Sequence, residues 1–391
     1  MKLTKIVGIG LGGLIVVLLV AAGLFVAFFP KELAAREAER RIEAATDRDL
    51  QLGKIDITLW PALGFSAENV SLSNPRDFDH PVSRGGVAPA QTPFITANRI
   101  VFAVAVLPLL HGEIQVKRLI FNGADVRLRA KQDGSANWTF PTEENSNQQT
   151  TLEDLHLEDV RLSNSNISFQ GADGQPPLTL ANVDASLEMA SLDQPGSIHS
   201  EFDYRGQRLK VDAEIGKPRA VLEKGETPLT ARVEGDLINA AFSGAFNAEN
   251  GALAGQLQAN GGSVRNLLQW IGSPMGAGGG FGTYRLQAAM RHVDQTTALT
   301  NAAIQLDAIN ARGALTIVTP PNNGKLHITG ALSSPSVDLN PYLPAPAQGA
   351  QAAGVEASSA WSTDRLDLTG LRAMDADLTL SIAALKFQKL S

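Results

Sequence analysis

The sequence predicts a mostly β protein: an N-terminal transmembrane helix, then a repeated, curved antiparallel β-sheet, groove-like or sandwich-like, with a few short helices. Three features carry this. Beyond residue 46 the apolar residues fall in short alternating runs bounded by Gly, Asn or Pro, which is the mark of strands joined by tight turns. Two of those runs, 41 residues apart, share one broken rhythm: Ile114, Val116, Leu119, Phe121, Ala124, Val126, Leu128 and Leu155, Leu157, Val160, Leu162, Ser165, Ile167, Phe169. The chain also begins with an uncharged stretch from Ile6 to Phe29.

That stretch is long enough to cross a bilayer, since a helix rising about 1.5 Å per residue needs about 20 residues for the hydrocarbon core. Val20-Ala21-Ala22 resembles a signal-peptide cleavage site, but seven more apolar residues follow it where a mature domain would turn polar. An uncleaved anchor over 1–30 is therefore expected. Lys2 and Lys5 precede the span, while Lys31, Arg36, Arg40 and Arg41 follow it. Positive-charge counting thus does not orient it, and the bulk is placed outside because a long folded domain is translocated largely regardless of flanking charge. The roughly 360 residues beyond the span suffice for one or two full cores.

Residues 31–46 (LAAREAERRIEAA within them) are good helix formers with opposite charges three and four apart, so a juxtamembrane helix is expected. An N-terminal β region follows over 47–141. Its strands fall at Leu50 to Trp60, Phe65 to Leu72, Phe94 to Leu107 and the first repeat copy, and a Pro- and Gly-rich loop lies at 80–92. Asp133-Gly134-Ser135 makes a turn before Asn137-Trp138, and a polar linker at 143–149 separates the copies. A second β region spans 142–344. It holds the second copy and short strands from Leu178 to Ala259, then a helix at 264–272, capped by Ser263 and ended by Gly272. Strands resume from Tyr284 to Ile328. Residues 345–359, built from Ala, Gln, Gly and Ser, read as a disordered linker. Residues 360–391 read as the start of a truncated C-terminal β region, whose strand of Leu378, Leu380, Ile382, Leu385 and Phe387 has nothing after it to pair with. Exposure of Ile382 and Phe387 is expected on that reading.

In each repeat copy the alternation slips by one residue and slips back, as at a bulge followed by a sharp bend. Gly123 and Asn164 stand at the bend, and both tolerate positive φ. The first slip holds Lys117 and Arg118 in one copy and Glu158 and Asp159 in the other, so copies lying side by side would oppose charges and help fix register. A repeated alternating strand yields a sheet with one continuous apolar face. Val116, Leu119, Phe121, Val126, Leu128, Leu157, Val160, Leu162, Ile167 and Phe169 are the candidate lining of that face. Left open, it is a trough for acyl chains; covered by a second sheet, the same side chains are an ordinary sandwich core.

Composition narrows the function. A net charge of −7 disfavours nucleic acid as a partner. Cysteine is absent, so stability must come from pairing and packing alone, and cysteine-type zinc sites are excluded. The six histidines form no metal-type pair, no GxSxG occurs, and no cofactor is expected. Gly8, Gly10 and Gly13 spell GxGxxG inside the span, without the preceding strand a dinucleotide site needs. Trp138, like the other tryptophans, is expected to plug the core at a hairpin end.

LGKIDITLWPALGFSAENVSLSNP and FITANRIVFAVAVLPLLHGEIQVKRLIFNGADVRLRAKQDGSANW, together with the apolar N-terminus, resemble the AsmA family of bacterial envelope proteins. The segment from Ile114 to Trp138 is the most specific part. VRNLLQWIG, KLHITGALSSPSVDLNPYLP and LDLTGLRAMDADLTL resemble the family's second half. The resemblance implies a non-enzymatic protein of the bacterial inner membrane, single-pass, with its bulk in the periplasm and a role in outer-membrane assembly. It favours a trough that holds or passes phospholipid; the alternative is a scaffold or regulator acting through contacts with outer-membrane assembly factors. A third reading, a hydrolase or glycan-binding sandwich, lacks a catalytic constellation.

Overall fold

The computed structural model describes residues 36, 39–40, 43–44, 46–58, 63–75, 78, 92–104, 116–139, 157–172, 174, 176–275, 278–319, 325–343 and 374–387. The membrane span expected at 6–29 and the linker expected at 345–359 lie outside them. Among the described residues no helix is long and apolar enough to cross a membrane. The described positions between 36 and 46 are helical, as the charge spacing there predicts.

The chain divides into two compact units, Met1–Leu192 with Ser200–Tyr204, and Asp193–His199 with Arg205–Ser391. The boundary drawn from sequence at 141–142 falls inside the first unit, between two strands that pair.

The first unit holds β1 (Leu50–Gln51), β2 (Ile55–Thr58), β3 (Leu63–Leu72), β4 (Ile95–Val104), β5 (Val116–Arg129), β6 (Leu157–Gln170) and β7 (Leu178–Met189). β1 and β2 pair with successive parts of β3. The main-chain bonds Gly53 N to Glu68 O (2.9 Å) and Glu68 N to Lys54 O (3.0 Å) carry the ladder through the break. Neighbours from β2 to β5, and β6 with β7, are antiparallel.

β5 and β6 instead run parallel, which corrects the expectation of a wholly antiparallel sheet. The cause is the repeat. Two copies with the same slips in the same order match only when they run the same way. Leu119 pairs with Val160, Phe121 with Leu162, Val126 with Ile167 and Leu128 with Phe169, each at the repeat's own offset. Arg118 Nε donates to Asp159 Oδ2 at 2.9 Å, the opposition the sequence suggested; the side chains of Lys117 and Glu158 lie outside the described residues. Gly123 and Asn164 both take the left-handed conformation (φ 60° and 51°), and so do Asn69 (51°) and Asn182 (49°) on β3 and β7. The residue after each is buried: Val70, Ala124, Ser165 and Val183, with Ala97 of β4 between the first two. The left-handed residues thus mark one line across β3, β5, β6 and β7, with Ala97 of β4 in the same line. Ser165 Oγ accepts from Ala124 N at 3.1 Å across that line and donates to Ser163 O at 3.1 Å.

One end of this sheet is closed by polar groups. Asn137 is fully buried. Its Oδ1 accepts from Arg129 N (2.8 Å), and its Nδ2 donates to Arg127 O (2.7 Å) and Asn74 Oδ1 (2.8 Å). Arg48, also fully buried, lies 4.8 Å from the centre of the Phe94 ring and donates to Thr139 O at 3.0 Å; burial lowers its pKa. Trp138 is not the plug: it is 38% exposed. The turn at Asp133–Ser135 turns Asn137 inward against the strands, and the next residue points out.

The second unit holds β9 (Gln207–Ile215), β10 (Glu226–Gly235), β11 (Asn239–Asn247), β12 (Ala252–Gly261), β13 (Tyr284–Val293), β14 (Thr296–Leu306), β15 (Ile309–Val318) and β16 (Leu326–Ser334), antiparallel in chain order. β8 (Gly196–Tyr204) runs across the division between the units. β17 (Val337–Asp338) and β19 (Leu385–Lys386) pair with each other. β18 (Met374–Ile382) lies parallel to β16, so the terminal strand does find a partner. Leu378, Leu380 and Ile382 stay exposed on it, and Phe387 is partly buried. The buried core is small: Ala288, Leu299 and Ala302, packed against Leu257, Leu286, Met290 and Ile304 among others.

Two helices join strands here. α1 (Pro218–Leu222) begins at a proline and is too short for a periodic signal. α2 (Val264–Ile271) has the caps read from sequence: Ser263 Oγ accepts from Asn266 N, and Gly272 is left-handed at φ 93°. Beyond α2, Phe281 meets the edge of Tyr342 at 5.1 Å. The Tyr342 hydroxyl donates to Asp307 Oδ2 at 2.9 Å, and Gly282 N donates to Asp307 Oδ1 at 3.0 Å. Burial, with the Asp307 carboxylate beside it, pushes the Tyr342 pKa up to about 12. An acid whose pKa is higher folded than unfolded favours folding below its unfolded value, near 10, and that contribution fades as pH rises through about 12. Stability of this unit is therefore expected to fall between those values, and less steeply in Tyr342→Phe; denaturant titrations at pH 9 and 11.5 check it, and identical slopes in both proteins would contradict it.

Candidate functional site

The candidate site is the apolar face of the first unit, built by cross-strand register. Directly opposed residues share a face, so the ladder can be read in rows. One row runs Leu72, Ile95, Val126, Ile167, Leu180; the next, beyond the bend, Ala67, Ile100, Phe121, Leu162, Ala185; a third, Phe65, Phe102, Leu119, Val160, Leu187. The rows keep to one face on both sides of the bend because the left-handed residue absorbs the change of phase. The opposite face is polar: Glu68, Arg99, Asn122 and Ser163 form one of its rows.

All ten candidate residues lie in β5 and β6, brought side by side. The side chains of Val116 and Leu157 lie outside the described residues. Leu119, Phe121, Val126, Leu128, Val160, Leu162 and Ile167 are partly buried, and Phe169 is 41% exposed. A core residue in a sealed sandwich is close to fully buried; none of these eight is. The fully buried positions are the small ones on the bend line, Ala124 and Ser165.

Sequence reasoning confined the lining to the repeat and missed its flanks. Ile95, Ile100 and Phe102 of β4 and Leu180 and Leu187 of β7 extend the rows on either side. Alternation in those segments was visible; what was missing was the register tying it to β5 and β6. At the rim, Trp138 lies 5.8 Å from Phe169, ring centre to ring centre, and Leu178, the partner of Phe169 on β7, is 43% exposed.

The surface offers one chemical property: a non-directional apolar face bordered by charged strand ends. Ion pairs sit on the other face, where Arg161 Nε reaches Asp159 Oδ1 at 2.5 Å and Arg127 pairs with Asp125. Among the described residues no group of three acidic or histidine side chains is placed to hold a metal ion.

Comparison with known proteins bears on the same segment. The model of the AsmA family matches residues 1–275, which takes in the whole first unit, both repeat copies and the strands up to α2. Neither curated proteins nor solved structures give a match. A family match over well more than half of the sequence, covering the bent repeat strands that build the apolar face, establishes that the chain belongs to the AsmA family.

Proposed function

We propose that this protein is a non-enzymatic, membrane-anchored periplasmic component of outer-membrane biogenesis, holding or passing phospholipid acyl chains along the apolar face of its first unit. One observation carries the reading: rows of apolar side chains continuous across five strands, none of the eight described candidates sealed. Each methylene exposed to water costs about 0.8 kcal/mol, so a chain of about sixteen carbons faces on the order of 12 kcal/mol in crossing an aqueous gap. A continuous apolar face removes much of that cost, and because the hydrophobic effect is non-directional it accepts acyl chains of different kinds. The uncharged run at 6–29 supplies the anchor, and family membership supports the envelope setting.

Full-length protein extracted from membranes is expected to carry phospholipid detectable by mass spectrometry. Photoreactive residues at Phe121 or Phe169 are expected to crosslink to acyl chains. Lipid-free protein with no acyl crosslinks, combined with recovery of outer-membrane assembly factors, would replace this reading with the scaffold one.

A further inference from the structure

The second unit's strands carry a cleft in which two arginines and several neutral polar side chains stand among apolar ones. Arg285 on β13 pairs with Gln305 on β14. One step along the strands, Ala303, Arg312, Ser333 and Ser381 form a single row over β14, β15, β16 and β18. These side chains line a cleft of about 840 Å³, walled at one side by Pro335 and Ile382. The two arginines stand on the strands flanking β14, one step apart along them, so about 12 Å separates their Cα atoms. Both line the same cleft, with the small side chain of Ala303 on the strand between them.

The electrostatics of this cleft run against those of the chain. Net charge is −7, yet no carboxylate lines it. Several arginines elsewhere pair with carboxylates: Arg118 and Arg161 with Asp159, Arg127 with Asp125, Arg219 with Asp193. Arg285 and Arg312 have no such partner among the described residues. The Ser333 hydroxyl is already committed, donating to Arg312 O at 3.2 Å, which ties β15 to β16 beneath the guanidinium. Ser381 and Gln287, which carry neutral donors, also line the cleft.

We propose that this cleft binds a phosphate ester. The two oxygens of a carboxylate lie in one plane and face one way, whereas a tetrahedral phosphate directs oxygens to arginines on both flanking strands. The phosphate can arrive on a lipid headgroup or on a soluble phosphorylated compound, and the recognition chemistry is the same for both.

Calorimetric titration of the full-length protein in a neutral detergent tests this, with sn-glycerol 3-phosphate as one probe and dihexanoylphosphatidylglycerol as the other. At least one is expected to saturate. Saturation by the glycerol phosphate assigns a free ester; saturation by the lipid alone assigns a headgroup. In either case the R285Q/R312Q pair is expected to weaken binding about tenfold or more, since each charge-assisted bond is worth about 1.5–3 kcal/mol. R285K/R312K, keeping charge but losing the fork, is expected to fall between. No saturation by either probe, unchanged binding in R285Q/R312Q with unchanged circular dichroism, or equal affinity for acetate would overturn the proposal. Charges placed on the first unit's apolar face are expected to leave glycerol phosphate binding unaltered, so failure of the acyl-chain reading and failure of this one are separable.

Discussion

Asn137→Ala is expected to destabilise the first unit by about 3–5 kcal/mol, the largest effect of any single substitution considered. The amide satisfies three groups at once: the Arg129 N–H, the Arg127 carbonyl and the Asn74 side-chain oxygen. The site is fully buried, so water cannot take its place without opening the strand end. Each buried group left without a partner costs about 1–3 kcal/mol. Asn74 would be loosened as well, since its Nδ2 donates to Thr92 O at 3.0 Å from the same node. Asn137→Asp keeps an acceptor for Arg129 N but loses both donated bonds, so it is expected to destabilise comparably. Thermal unfolding followed by circular dichroism should show the first unit melting roughly 10 °C lower, with amide exchange accelerated at residues 127–139. A shift under about 2 °C would mean that the node is wetter than its burial indicates.

The contrast between Asn137 and Trp138 shows where sequence stops informing structure. The turn at Asp133–Ser135 was legible from local chemistry: the Asp133 carboxylate accepts from Ser135 N and Oγ, and Gly134 takes φ 83°. Which neighbour then points inward was decided by Asn74, 63 residues away, and by the backbone of β5; size and apolarity pointed to the tryptophan. The repeat was legible for the opposite reason. Its slips recur at a fixed offset, so in-register pairing of β5 with β6 needed no long-range information beyond the repeat itself. Even the bend residues, Gly123 and Asn164, announced their backbone conformation. Partners with no repeat to align them, such as β16 with β18 or β4 with β5, were readable as strands but not as pairs. The outer rows of the apolar face were therefore missed, and so was the arginine-lined cleft of the second unit.

Phe121→Glu combined with Leu162→Glu is expected to remove most bound acyl chain while leaving the sheet folded. The two positions are direct cross-strand partners in the middle row of the face, where an acyl chain crossing β5 and β6 must touch one or both. Both side chains are only partly buried, so in the empty protein the carboxylates remain hydrated. The fold then loses mainly the residual apolar contact, at about 25 cal/mol per Å². Binding is affected much more strongly. A hydrocarbon laid over the pair must strip water from two adjacent like charges, a penalty of several kcal/mol that dispersion from the remaining rows does not recover. Acyl crosslinking from a photoreactive residue at position 169 is expected to drop by more than roughly tenfold. Asn122→Glu is the matched control: it adds a carboxylate to the same strand, but on the polar face beside Arg99, and is expected to change crosslinking little. If the double variant and the control lose lipid equally, net charge rather than the apolar face governs the association. If neither loses it, acyl chains travel elsewhere on the molecule, and the rows of Phe121 and Leu162 serve only to stiffen the sheet.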